Sequence, residues 1–198
     1  MGAVCSLLDH RDREGCMARV PYLDAADLDE ADRPLLARPI NLFRGLAHSP
    51  DGLAHFHAIG DWIRHRSGVD PRLRELAILQ VGYLTRSRYE YAHHIRIGRD
   101  FGLSDDDIRL VRTDTPLPDG ATGTVLRAAR ELTVEADLTD ATWQAMVDAL
   151  GVRQSVELVL VIAHYNAVIR VLAALAIDVE PDYRHHLDEF PFEPQVTA

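Results

Sequence analysis

Between Arg74 and Leu103 the chain places an apolar helix, a short turn and a polar-striped helix end to end, and this stretch restricts the fold more than any other. Arg74-Glu75-Leu76-Ala77-Ile78-Leu79 and the residues up to Leu84 are apolar on nearly every face, so they predict a helix buried almost all round. Thr85-Arg86-Ser87 turns the chain, and Ser87-Arg88-Tyr89-Glu90 opens a second helix that runs to Phe101 and stops at Gly102. A hairpin this apolar is stable only when other helices cover it.

The rest of the chain supplies them. Asp24-Ala25-Ala26-Asp27 starts a short helix expected within residues 21–32 and ending before Pro34, and residues 39–48 read as a second. Ser49-Pro50-Asp51 opens a helix to about Arg66 with Leu53, Phe56, Ile59, Trp62 and Ile63 on one stripe, and Asp70-Pro71 opens the next. Ser104 and three aspartates cap a further short helix, residues 113–123 are a Pro- and Gly-rich loop, and helices follow near 124–136, 139–150 and 152–177. Gly151 separates the last two. No segment alternates convincingly with period two. The expected fold class is all-α, a compact multi-helix bundle. Residues 1–16 read as an extension, 17–180 as the helical domain and 181–198 as an extended C-terminal arm.

Composition narrows the function classes. The formal charge of −10 argues against a nucleic-acid partner, which needs a basic face. Every basic residue is arginine, so a lysine Schiff base and a P-loop are excluded. Cys5 and Cys16 form neither a CxxC nor a zinc spacing. His55-x-His57 diverges by about 200° on a helix, so no metal and no cofactor is expected. No secretory signal is evident, and the most apolar stretch, 156–179, is interrupted by Glu157, His164, Asn166 and Arg170, so a cytoplasmic protein without a membrane partner is expected.

Chemistry-bearing residues gather in the hairpin. Glu90 and His94 are i, i+4 and share a face, with Ser87 and Tyr91 at the remaining helical spacings. Ser87-x-x-Glu90 is a capping box, and the same helix start is an anion site; both readings hold together. His94 is the expected acid–base group. Glu75, among Leu73, Leu76 and Ile78, either pairs with a structural arginine such as Arg170 or serves the site. Asn166 and Arg170 share a face of the last helix, as a buried ion pair or as a clamp on a substrate carboxylate.

Arg74–Leu79, Tyr83, Tyr89-Glu90-Tyr91, His94 and Gly102-Leu103-Ser104 together resemble the carboxymuconolactone decarboxylase-like family, which also contains the alkylhydroperoxidase D proteins. The motif covers about 35 residues, with a looser likeness over most of the chain. The resemblance implies an alkylhydroperoxidase D-like bundle that assembles as a homo-oligomer (dimer, trimer or hexamer). Peroxidase members carry a CxxC whose positions fall here on Ser87 and Glu90, so thiol peroxidase activity is not expected. The Tyr-Glu-Tyr…His form is similar to the decarboxylases, which release CO₂ from a small unsaturated lactone acid without a cofactor.

On that resemblance His94 delivers a proton, Glu75 orients it, and Glu90 forms a second relay or caps its helix. Arg170, Asn166 or the amides near Ser87 hold a carboxylate, and Tyr83 and Tyr91 wall the pocket. The competing expectation is a non-catalytic oligomeric protein that binds a small ligand or partner.

Overall fold

In a computed structural model, described for residues 18–112 and 116–192, the chain folds into helices and connecting turns with no strand among the described residues. Two 3₁₀ turns, Ala25–Asp27 and Arg33–Leu36, precede α1 (Asn41–Leu46), α2 (Pro50–His65), α3 (Pro71–Leu84) and α4 (Arg88–Asp100). These are followed by α5 (Asp105–Arg109), α6 (Gly120–Val134), α7 (Asp140–Leu175) and α8 (Pro181–Glu189). The expected extension with Cys5 and Cys16, and Pro194 in the tail, lie outside the described residues.

The core is built around α3, which packs against α4, α6 and α7. Asp70 accepts a hydrogen bond from the Leu73 amide at 3.1 Å and Pro71 fills the first turn, so the helix starts where the sequence places it. Every residue from Leu73 to Tyr83 is buried, as the all-round apolar pattern requires. Gly82 lets α4 come close, since a Cβ there would lie 3.3 Å from the Tyr91 amide nitrogen. The hairpin therefore packs backbone against backbone at its turn, and this sets the direction in which α4 presents its polar stripe.

α7 is long and apolar enough to cross a membrane by composition, but it is not one uninterrupted rod. Gly151, with φ 77°, breaks it where the sequence predicts a separation. Leu158, Val161 and Ile162 beyond the break are fully buried in the protein's own core.

Three local expectations change. The helix expected in 21–32 is a 3₁₀ turn, because the Asp27 carboxylate takes the Asp24 amide at 2.8 Å and the segment lacks an apolar stripe to carry it further. A second 3₁₀ turn then includes Pro34 in its first turn. α6 starts at Gly120 rather than 124, after an extended Asp119. Residues 181–189 are helix rather than extended arm, because Glu180-Pro181-Asp182 repeats the acid-and-proline entry of α2 and α3. His186 and Leu187 are buried, and α8 packs on α4.

Candidate active site

Glu75 on α3 and His94 on α4 face each other across the hairpin. The imidazole Nδ1 lies 2.7 Å from Glu75 Oε2, and its Nε2 lies 2.9 Å from Glu90 Oε1, one turn earlier on α4. The second Glu75 oxygen accepts from Arg74 Nε at 3.1 Å. The result is a continuous chain, Arg74–Glu75–His94–Glu90, whose four members are each 4% exposed or less.

Burial opposes charge on the His94 ring, but the Glu75 and Glu90 carboxylates on either side outweigh it and push the imidazole up to about 9. Burial alone would raise the Glu75 carboxyl. The His94 imidazolium and the Arg74 guanidinium reverse that and hold it below the usual carboxylate range. At neutral pH the imidazolium therefore donates to both carboxylates, a charge-assisted arrangement stronger than a neutral hydrogen bond.

Glu90 and His94 sit in the wall of a cavity of about 370 Å³. Tyr165 of α7 closes over them, its ring edge-on to His94 at 5.0 Å between centroids. Burial, with Glu90 and Glu75 close by, pushes its phenol well above the usual range, so the hydroxyl stays protonated. Phe43 and Phe56 supply apolar surface, and His57 and Arg64 of α2 line the cavity as well.

The expected residues divide sharply. Glu75, Glu90 and His94 are brought together. Ser87 is the N-cap of α4 and accepts from the Glu90 amide at 3.5 Å, but it does not line the cavity. Only that half of the capping box forms here, because the Glu90 carboxylate is bonded to His94.

Tyr83 and Tyr91 do not wall the cavity. They pack edge-on at 5.6 Å and meet Phe192 in the main core, because Tyr91 points with Ala92 and Ile95 while Glu90, His93 and His94 point to the cavity. Arg170 neither clamps the site nor pairs with Glu75. It is exposed and donates to the Asn166 carbonyl, while Asn166 donates to Thr133 of α6 at 3.1 Å. On α7 it is His164, Tyr165 and Val168 that line the cavity; Asn166 lies about 100° around the helix from Tyr165, and Arg170 about 200° from Val168. The arginine beside Glu75 is its own neighbour, Arg74.

His93, given no strong role by the sequence, is held differently from His94. Its Nε2 lies 2.7 Å from Glu180 Oε2, and its ring is stacked between Tyr89 at 4.2 Å and Tyr183 at 3.8 Å. Glu180 also accepts from Tyr89 Oη at 3.1 Å and from the Asn41 amide at 2.7 Å. Burial would raise the Glu180 carboxyl, but the His93 partner and these donors pull it down. This second acid–imidazole pair ties α1, α4 and the start of α8 together beside the cavity.

His185, His186 and Glu189 on α8 form a third cluster, with ligand atoms within 4.8 Å of one another, a spacing that could hold a metal ion. Glu189 is already engaged by Arg99 at 3.0 Å.

Residues 50–135, from the first turn of α2 to the end of α6, match the model of the carboxymuconolactone decarboxylase family. That segment holds the whole Arg74–Glu75–His94–Glu90 chain. Over that segment the chain is similar to the carboxymuconolactone decarboxylase family. Solved structures carry the same fold. An AhpD-core, peroxidase-related protein from Ralstonia eutropha superposes with a TM-score of 0.72 at 16% identity, over 85% of this chain and 95% of its own. A protein of unknown function from Agrobacterium tumefaciens, named for AhpD and antioxidant defence, gives 0.63 at 16% identity, over 68% of this chain and 94% of its own. No curated protein sequence matches the chain. The family's matched segment ends before Tyr165 and Glu180, so the cavity roof and the α8 clamp lie outside it.

Proposed function

We propose that the protein is a cofactor-independent carboxy-lyase of the carboxymuconolactone decarboxylase type, acting by acid–base chemistry on a small unsaturated carboxylated substrate. The observation that carries this is His94 held between two carboxylates, one of which, Glu90, stands in the cavity wall. Loss of CO₂ breaks a carbon–carbon bond and leaves its electron pair delocalised into the unsaturated carbonyl. That carbanion then needs one proton. His94 passes its Nε2 proton to Glu90, and Glu90 delivers it to carbon; Glu75 keeps the ring oriented throughout. Both His94 nitrogens are engaged by carboxylates, so the substrate-facing group is Glu90 and the imidazole works through it. The aromatic lining lowers the local polarity and favours breakdown of the carboxylate.

A second reading rests on one specific observation: both His94 ring nitrogens are already bonded. In that reading the ion-pair chain is structural and the cavity only binds a ligand. Thiol peroxidation is not supported by the residues at the hairpin, where positions 87 and 90 are serine and glutamate. Self-association belongs to the proposal as well. Val152, Val156 and Leu160, spaced four apart on α7, are 59%, 47% and 47% exposed and offer an apolar face to a second copy.

The deciding experiment incubates the protein with 4-carboxymuconolactone and follows CO₂ release beside the His94→Gln variant. Turnover is expected in the wild type, with a loss of about 10²–10⁴-fold in the variant, the range general acid–base groups supply. No turnover in the wild type removes the lactone assignment, and equal turnover removes His94 from the reaction.

A further inference from the structure

One face of α2 lines the cavity: His57, Gly60 and Arg64 recur three and four residues apart along it. Arg64 is half-buried and carries a permanent charge, yet no carboxylate among the described residues is paired with it. Asp61, three residues before it, is bonded to Arg66 at 3.1 Å. His57 Nε2 is buried without a hydrogen-bond partner, which is costly for a polar atom unless a ligand meets it. Burial lowers the His57 pKa, so its ring is neutral and offers either a donor or an acceptor.

Between them, Gly60 leaves a gap. A Cβ built there meets nothing within 4 Å, although glycine inside a helix costs about 1 kcal/mol against alanine. Helix stability therefore gives no reason for glycine at this position. A flat ligand does.

We propose that this α2 face is the substrate-recognition platform of the cavity: Arg64 holds a carboxylate, a planar ring lies over Gly60, and His57 bonds a hydroxyl or carbonyl oxygen on the far side of the ring. The ligand class is a flat cyclic acid with a second oxygen function. This rests on the acid–base reading only for what happens next, since Glu90 lines the same cavity. Recognition and chemistry are then carried by separate helices, α2 and α4.

The test uses the full chain and three probes, 4-hydroxybenzoate, its neutral counterpart 4-hydroxybenzyl alcohol and benzoate, with affinity measured by titration calorimetry and stability by thermal melting. The acid is expected to bind at least about tenfold tighter than the alcohol, and Arg64→Gln to erase that difference. Gly60→Leu is expected to abolish binding of both while the melting temperature holds or rises, because the side chain fills the gap and leucine is the better helix former. His57→Phe is expected to make 4-hydroxybenzoate bind no better than benzoate. The proposal is overturned if neither 4-hydroxybenzoate nor the alcohol binds the wild type, if Arg64→Gln binds the acid unchanged, or if Gly60→Leu still binds. The lactone assay on the wild type separates this from the catalytic reading: acid binding that depends on Arg64, in a wild type that does not turn over the lactone, leaves the platform standing and removes the decarboxylase.

Discussion

His93 and His94 are adjacent on one helix, both nearly inaccessible, and each lies 2.7 Å from a glutamate oxygen. Their surroundings nevertheless give them opposite duties. His94 bonds carboxylates through both nitrogens, one on the neighbouring core helix and one in a cavity wall, so a proton on it has somewhere to go. His93 is pressed between two tyrosine rings, and its carboxylate is shared with Tyr89 and the Asn41 amide, so its bond fixes three segments in place. An acid–imidazole pair is therefore not a catalytic signature by itself. What distinguishes the two is the second ring nitrogen: in His94 it meets a further carboxylate that lines the cavity, whereas His93 bonds one carboxylate and is clamped between rings.

The largest effect expected from that contrast is on turnover. Glu90→Gln keeps a side chain that can bond His94 but cannot carry its proton, and activity on the substrate is expected to fall by about 10²–10⁴-fold. Glu180→Gln, the matching change at the other pair, is expected to leave kcat within a few-fold and instead to lower stability by about 1–3 kcal/mol, as loss of part-buried hydrogen bonds does. Steady-state rates and urea midpoints on the two variants check this. Equal losses of rate would erase the distinction between the pairs.

Next comes stability at the active pair. Glu75→Gln removes the anion that compensates both Arg74 and His94, leaving buried positive charge, and should destabilise by about 3–5 kcal/mol. It should also lower the His94 pKa, since burial then acts with less opposition. Chemical denaturation and imidazole titration by NMR measure the two consequences in the same variant.

The pH dependence carries a sign that follows from the directions of these shifts. His94 is raised from 6.5 to about 9, so its stabilising charge is fully present below pH 6.5 and is lost as pH rises through about 9. Glu75 is lowered, so its share is present above the ordinary carboxylate range and is lost as pH falls below it. The stability gap between wild type and His94→Gln should therefore shrink between pH 6.5 and 9 and again in acid. A gap that grows above pH 6.5 would mean that the ring is buried neutral.

Much of the hairpin is legible in the sequence because it is written locally. Asp70-Pro71 starts α3, its unbroken apolar run announces burial, and the i, i+4 spacing of Glu90 and His94 places them on one face. The arginine beside Glu75 is less legible: adjacent helix residues diverge by about 100°, so Arg74 is not the expected partner, while Arg170, which the pattern offers, is exposed and bonds Asn166. The side of α4 that carries the cavity is likewise set by packing. Tyr91 lies about 100° from Glu90, and only the approach of α3 at Gly82 decides which of the two meets the core. His57, Arg64, Tyr165 and Glu180 reach the site from helices separated from it in sequence. Nothing in their own neighbourhoods marks them. The α8 helix is also written locally, since Glu180-Pro181 repeats the acid–proline start of α3 and Pro181-Asp182 the proline–acid start of α2.

The smallest expected effect tests the one group the two readings of α4 share. Ser87 caps the helix through the Glu90 amide, at a long 3.5 Å, and does not reach the cavity. Ser87→Ala should cost about 0.5–1 kcal/mol, the usual range for a lost N-cap, and should leave kcat nearly unchanged. If Ser87 instead supplied a hydroxyl to the reaction, kcat would fall well beyond what so small a loss of stability explains, and threonine, which keeps both hydroxyl and cap, would restore it. A rate loss rescued by threonine but not by added stabilising solute would place the start of α4 inside the site; a stability loss alone keeps it as the fixture that aims Glu90 at His94.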